Sequence, residues 1–291
     1  MSFRRPRTVI DVHTHVIASD PVRYPLAPLS GHQSEWSRER PVSDVQMIQA
    51  MEAAGIARVS LVQASTCYGN DNSYVADSVA AYPERFSGVF SASLTDPDAI
   101  DRIAYWRSRG LRSLRVFIAG HTASDQGARL DDPRAYPAWA YAQEQRIPIN
   151  VQLRADGLPQ LVALLDRFPK TIVLLDHFAR PVLGDGAPYA QANSLWDLAR
   201  YENLVFKYTT HNVRESAVAP ATQDSFAQRM VAAFGAKRIA WGSNFPASKG
   251  SLAGLLDEAL LATASLSDED RDWIFAGTAQ RVYPELAGAA A

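Results

Sequence analysis

His13 and His15 stand one residue apart at the end of the apolar run Thr8-Val9-Ile10-Asp11-Val12-His13-Thr14-His15. On a strand, side chains at i and i+2 point to one face, so both imidazoles project together from the strand's C-terminal end. Such a pair can bind a divalent metal ion, or it can polarise a carbonyl and carry protons near neutral pH. A bare His-x-His is also compatible with two partly solvated strand-end histidines. What decides between these is whether the rest of the chain builds a site around the pair.

The elements that would position it alternate. After the first strand comes a polar, Pro-rich stretch, 18–41, containing His32 and Trp36; it has the length of a lid or binding loop, or of a packed excursion over a barrel end. Ser43 is a good N-cap, and Val45, Ile48, Met51 and Ala54 follow at helical spacing until Gly55. Residues 58–64 read as a second strand, followed by the turn-like Gly69-Asn70-Asp71-Asn72 and a helix to about Tyr82. Further strands are expected at 86–92, 113–118, 148–153, 171–177, 203–209 and 238–244. Helices are expected at 98–109, 136–146, 158–168, 192–201, 222–234 and 252–264. Eight β-then-α units imply parallel pairing and an α/β fold, a single (β/α)8 TIM barrel spanning residues 1–291. Ser267 caps a final extra helix over 268–275 that would close one barrel end.

Composition supports one large core: 291 residues, 47% of them hydrophobic. A formal charge of −2, from 29 Lys+Arg against 31 Asp+Glu, gives no electrostatic footprint for nucleic acid or an anionic membrane. The single cysteine, Cys67, excludes an internal disulfide and a thiolate-clustered metal site, and reads as a small buried side chain. No apolar stretch approaches the roughly 20 residues that span a bilayer. Met-Ser-Phe-Arg-Arg-Pro-Arg leads directly into a strand, so a cytoplasmic protein is expected, with oligomerisation left open. The Ala-rich tail 287–291 reads as a fraying end.

In such barrels the chemistry sits at the C-terminal ends of the strands. The polar residues there are His13 and His15 on the first strand, Gln63 and Ser65 on the second, Arg115 on the fourth and Gln152 on the fifth. The sixth gives Asp176 and His177, the seventh Lys207, and the eighth Ser243 and Asn244. His121 and His211 fall on loops after the fourth and seventh strands, able to contact substrate or simply to be solvated, and Arg214 could be a second carboxylate contact. Asp11 would orient a histidine or cap its strand. Asp176, facing away from His177 on a strand, would anchor Arg180 or a neighbouring loop. Trp36 and Tyr68 could supply apolar walls.

Three of these strand ends form ordered words: Asp11-Val12-His13-Thr14-His15, Asp176-His177-Phe178-Ala179-Arg180-Pro181 and Trp241-Gly242-Ser243-Asn244-Phe245-Pro246. Together they resemble the amidohydrolase superfamily, and the Asp-His-x-x-Arg-Pro word resembles its branch of 2-pyrone-4,6-dicarboxylate lactonases and sugar-acid and muconolactone lactonases. The similarity runs along essentially the whole chain. It implies a hydrolase that opens a small carboxylated lactone in aromatic or sugar-acid catabolism. His13, His15 and His177 would gather around the ester carbonyl and stabilise the developing oxyanion. Arg115 would clamp a substrate carboxylate, with Gln152 and Lys207 completing the pocket; an ion pair inside the barrel mouth is the other use of Arg115 and Lys207.

Two positions depart from the pattern. The water-activating aspartate of the eighth strand is here Asn244, and an amide cannot take a proton from water near pH 7. This leaves an introduced Asp-to-Asn replacement, another base such as His15 or His177, a lactone isomerase or decarboxylase, or a substrate-binding pseudoenzyme. The second departure is that Arg115 and Gln152 stand where metal-dependent members carry ligands. Arginine cannot be a ligand, and its charge opposes a dication. A metal-independent enzyme is therefore expected; His13, His15 and His177 are the ligands left if zinc is bound.

Overall fold

Eight parallel strands follow one another in sequence order: β1 (Ile10–Thr14), β2 (Arg58–Val62), β3 (Phe86–Ser91), β4 (Ser113–Phe117), β5 (Ile149–Gln152), β6 (Val173–Leu175), β7 (Leu204–Thr209) and β8 (Ile239–Gly242). The computed structural model describes residues 4–118 and 129–287. The strands are buried along nearly their whole length, because helices cover the outside and the barrel fills its own interior; this is why they read as apolar runs and not as alternating ones. β8 returns to β1 at the top, where Asn244 N donates to His13 O at 2.8 Å and His15 N to Phe245 O at 2.9 Å. Gly242 permits that approach: a Cβ there would lie 2.6 Å from the Cβ of His13.

The helices form for the reasons their sequences give. Asp44–Ala54 opens with a reciprocal capping box between Ser43 and Gln46, and Gly55 ends it at φ 67°. Leu158–Arg167 buries Leu158, Leu161, Leu164 and Leu165, one stripe at helical spacing. Two helices differ from expectation. The segment at 192–201 is only one α-turn, Asn193–Trp196, between 3-10 turns. The final helix passes from Asp268–Asp272 through a wide turn at Trp273–Gly277 and on to Thr278–Val282. Its continuation is what closes the barrel: Ala276, Ala279, Val282, Tyr283 and Leu286 pack on Ile10, Val12, Leu174, Val205 and Ala240. Tyr283 Oη donates to Asn150 Oδ1 at 3.0 Å beneath the same layer. With the N-terminal end plugged, the mouth at the strands' C-terminal ends is left for the site.

β6 is shorter than its apolar run. It stops at Leu175, and His177, Phe178, Ala179 and Arg180 all take left-handed backbone, with φ of 55°, 52°, 56° and 51°. Non-glycine residues avoid this region, and a run of it at a strand end marks a segment held by its surroundings.

Candidate active site

The pairing of β1 with β2 shifts register between Asp11 and Thr14, so Ile10 and Val12 lie in the lower apolar layer while His13 and His15 open upward. Asp11 pins this change: its Oδ1 accepts from His13 N at 2.9 Å and from Ser243 N at 3.0 Å, tying the first strand end to the eighth. The rings of His13 and His15 are 5.1 Å apart, and His177 brings a third ring 4.8 Å from His13. His211 stands edge-on to His177 at 5.0 Å. Each of the first three is fixed by Nδ1: His15 to Val62 O at 2.8 Å, His177 to Thr209 Oγ1 at 2.8 Å, and His13 to Lys207 Nζ at 3.3 Å.

Asp176 is where strand reasoning fails. It does not anchor Arg180, which pairs with Glu215. Because β6 ends before it and the backbone turns left-handed, Asp176 and His177 do not alternate between faces, and both enter the barrel mouth. Asp176 Oδ1 lies 3.0 Å from Lys207 Nζ and 3.6 Å from His13 Nδ1, and Oδ2 accepts from Arg115 Nε at 3.0 Å. All four side chains are buried. Burial alone would raise the Asp176 carboxyl, but the positive charges of Lys207 and Arg115 outweigh it and hold it well below the usual carboxylate range.

Burial governs the imidazoles. It lowers His13 and His177 well below the ordinary histidine value, and burial with Arg115 brings His15 to about 4. His211 also falls to about 4, through burial and then Arg180 and Arg214. The histidines are thus neutral at neutral pH. The unfolded chain takes up protons below roughly pH 6.5 that the folded chain refuses, so their contribution to stability is complete above that pH and is lost as pH falls toward 4. Asp11, raised to about 7 by burial, works the other way between about pH 4 and 7, but is one group against four. The melting temperature should therefore fall between about pH 7 and 4.5; a rise on acidification would show that the imidazoles are not buried in the neutral form.

A cavity of about 260 Å³ opens above these rings. His13, His15, His177, His211 and Asn244 line it, as do Gln63, Ser65, Arg115 and Gln152. Several of these are also engaged locally. Arg115 Nη2 donates to Gln152 Oε1 at 2.6 Å, Ser65 Oγ is 2.8 Å from Ser91 Oγ, and Gln63 Nε2 donates to the carbonyls of Gly69 and Asp71. Trp36 forms a wall, its ring 5.3 Å from that of His15. Asn244 is held in left-handed backbone at φ 57°, with Nδ2 3.1 Å from Ser248 Oγ and 3.4 Å from His211 Nε2.

Two expected contacts are absent from the wall. Lys207 lies beneath His13, spent on Asp176, and Arg214 turns outward to Glu258 at 2.8 Å. Tyr68 accepts from Ala18 N and braces the long first loop instead. His121 lies outside the described residues. Sequence reasoning missed Arg154, which lines the cavity, is exposed and has no ion-pair partner among the described residues. Its place two residues beyond Gln152, on the same side of the strand end, was the available signal.

His13, Asp176 and His177 each bring one ligand atom within 4.8 Å of the others, the geometry of a possible metal site. The donor set argues against a resident dication. Both Asp176 oxygens already face cations, Lys207 and Arg115, and these fixed positive charges would stand beside the ion in a buried, weakly screened place. We therefore derive no step through a metal.

Comparison with known proteins agrees with this architecture. A family model described as amidohydrolase matches residues 10–284. No curated protein sequence matches the chain. Among solved structures, a Pseudomonas putida protein provisionally assigned as a 2-pyrone-4,6-dicarboxylic acid hydrolase superposes with a TM-score of 0.77 at 20% identity, over 96% of this chain and 98% of that one. An amidohydrolase from Burkholderia multivorans with bound zinc gives 0.72 at 22% identity, over 95% and 99%. The 2,6-dihydroxybenzoate decarboxylase from Rhizobium gives 0.68 at 15%, over 95% and 98%. At these identities the likeness is one of fold.

Proposed function

The chain belongs to the amidohydrolase family, and we propose that it is a metal-independent hydrolase of a small carboxylated lactone, acting in aromatic or sugar-acid catabolism. The observation that carries this reading is a cluster of neutral imidazoles, His13, His15 and His177, at the floor of a cavity whose rim holds Arg154, which has no ion-pair partner among the described residues. A carboxylate held at the rim by Arg154, with Arg115 below, would bring a ring ester down onto the imidazoles. The fold shared with a protein provisionally assigned as a 2-pyrone-4,6-dicarboxylic acid hydrolase supports that substrate class.

Position 244 borders the floor, but asparagine cannot be the base. His15 takes that part. Burial, with Arg115, leaves it about as basic as a free carboxylate, at about 4, and its backbone pairs with Phe245, beside Asn244. Water attacks the carbonyl carbon and gives its proton to His15, while the carbonyl electrons move to oxygen. Collapse of the adduct breaks the ring carbon–oxygen bond, and the proton passes to the leaving alkoxide, giving one acid and one alcohol. Asn244 is then an orienting amide. Decarboxylation is the second reading, favoured by the missing aspartate and by the fold shared with 2,6-dihydroxybenzoate decarboxylase.

The test is a panel of carboxylated pyrones and sugar-acid lactones beside dihydroxybenzoates, followed by acid release and by carbon dioxide release. Ring opening without carbon dioxide supports hydrolysis; carbon dioxide from the benzoates alone would replace it with decarboxylation, and binding without turnover would mean a pseudoenzyme. With an active lactone, Arg154→Ala should raise KM about tenfold with little change in kcat. An unchanged KM would remove Arg154 from the carboxylate site.

A further inference from the structure

We propose that Lys207, locked in place by Asp176, is a positioning residue that divides the three imidazoles into one hydrogen-bond donor and two acceptors. His13 presents Nε2–H to the cavity, whereas His15 and His177 present bare Nε2 lone pairs.

The assignment follows from what each Nδ1 faces. Val62 O can only accept, so His15 carries its proton on Nδ1, at 2.8 Å. His177 Nδ1 faces the hydroxyl of Thr209, a group able to play either part. That hydroxyl is already committed as a donor, to Asn212 Oδ1 at 3.3 Å. The Asn212 oxygen is identified by its other end, since Asn212 Nδ2 donates to His177 O at 2.9 Å. Thr209 Oγ1 therefore accepts from His177 Nδ1–H. His13 is the opposite case. Its Nδ1 faces Lys207 Nζ at 3.3 Å, with Asp176 Oδ1 at 3.6 Å, too far for a hydrogen bond. Burial lowers the Lys207 amine, but its ion pair with Asp176 at 3.0 Å opposes this and keeps it an ammonium, which has protons to give and no lone pair to offer. His13 Nδ1 must accept, and the ring proton goes to Nε2. That atom is buried and has no partner among the described residues, as a donor reserved for a ligand oxygen would be.

The consequence for the reaction rests on the hydrolytic reading: His13 is the electrophile that holds the carbonyl oxygen, and the lone pair of His15, beside the Asn244 side chain, receives the proton of water. The same wiring leaves two open imidazole lone pairs and not three on the cavity side.

The assignment can be read without any substrate. In protein labelled with 15N at histidine, the two ring-nitrogen shifts distinguish the tautomers, and His→Gln variants assign the three rings. His13 should be protonated at Nε2, and His15 and His177 at Nδ1. In Lys207→Met, the His13 proton should move to Nδ1, toward Asp176; in Lys207→Arg, which keeps a cationic donor, it should stay. A wild-type His13 protonated at Nδ1, or a tautomer indifferent to Lys207→Met, overturns the proposal. Should Lys207→Met not fold, the wild-type and Lys207→Arg spectra still decide. If a lactone substrate is found, Lys207→Met should lower kcat about 10²-fold with KM nearly unchanged, the cost of losing one oxyanion donor. A failure of hydrolysis with the expected tautomers would fault the reaction and leave the assignment standing.

Discussion

Replacing His15 by glutamine should lower kcat for lactone opening by about 10²–10⁴-fold, the usual worth of a positioned general base. Glutamine keeps a polar side chain of similar reach but offers no nitrogen lone pair. KM should change little, since in this reading the carboxylate is held by Arg154 and Arg115, which also line the cavity. The control is Asn244→Asp in the same background: a carboxylate at the β8 end, where its backbone meets that of β1, should restore part of the lost rate. Full activity in His15→Gln would show that another group activates water. Full loss without rescue would leave His15 essential but position 244 irrelevant.

Asp176→Asn should cost about 3–5 kcal/mol of stability, because it strips a buried anion from two buried cations, Lys207 and Arg115. The dependence on pH has a definite sign. The carboxyl is held below its unfolded value, so its contribution is complete above about pH 4 and is lost as pH falls further. The double variant Asp176→Asn/Lys207→Met should be less damaged than the sum of its parts, since an unpaired ammonium is removed with the anion. Urea unfolding of the four proteins measures this. A loss under about 1 kcal/mol in the single variant would mean that the ion cluster is far more hydrated than its burial indicates.

How much of this could be read from the chain depended on whether local pattern or distant packing decides each residue. Strand order and most helices were legible because apolar runs, caps such as Ser43 and stops such as Gly55 act locally. His13, His15 and His177 were legible because strand ends share a place in a barrel whatever the loops do. Asp176 was not. The alternation rule assumes a strand continuing to residue 177, and the left-handed turn after Leu175 breaks that assumption; nothing in Asp-His-Phe-Ala-Arg-Pro announces it to a rule built on alternation. Lys207 was placed at the right strand end but at the wrong depth, since whether a lysine reaches into the cavity or pairs beneath it is settled by an aspartate 31 positions away. Arg214 was drawn outward by Glu258 in the same manner, and Arg154, which has no ion-pair partner among the described residues, lines the cavity instead. The final helix was capped as expected, but its run to Val282 follows from the barrel interior it fills and not from its own periodicity.

The most direct test of the central claim is turnover of a carboxylated lactone by purified protein after exhaustive chelation, with metal content measured on the same sample. Imidazole chemistry predicts that hydrolysis persists at its original rate with metal far below one equivalent per chain. Loss of activity on chelation, and its return on adding zinc, would contradict the account and make the three histidines ligands of a catalytic ion.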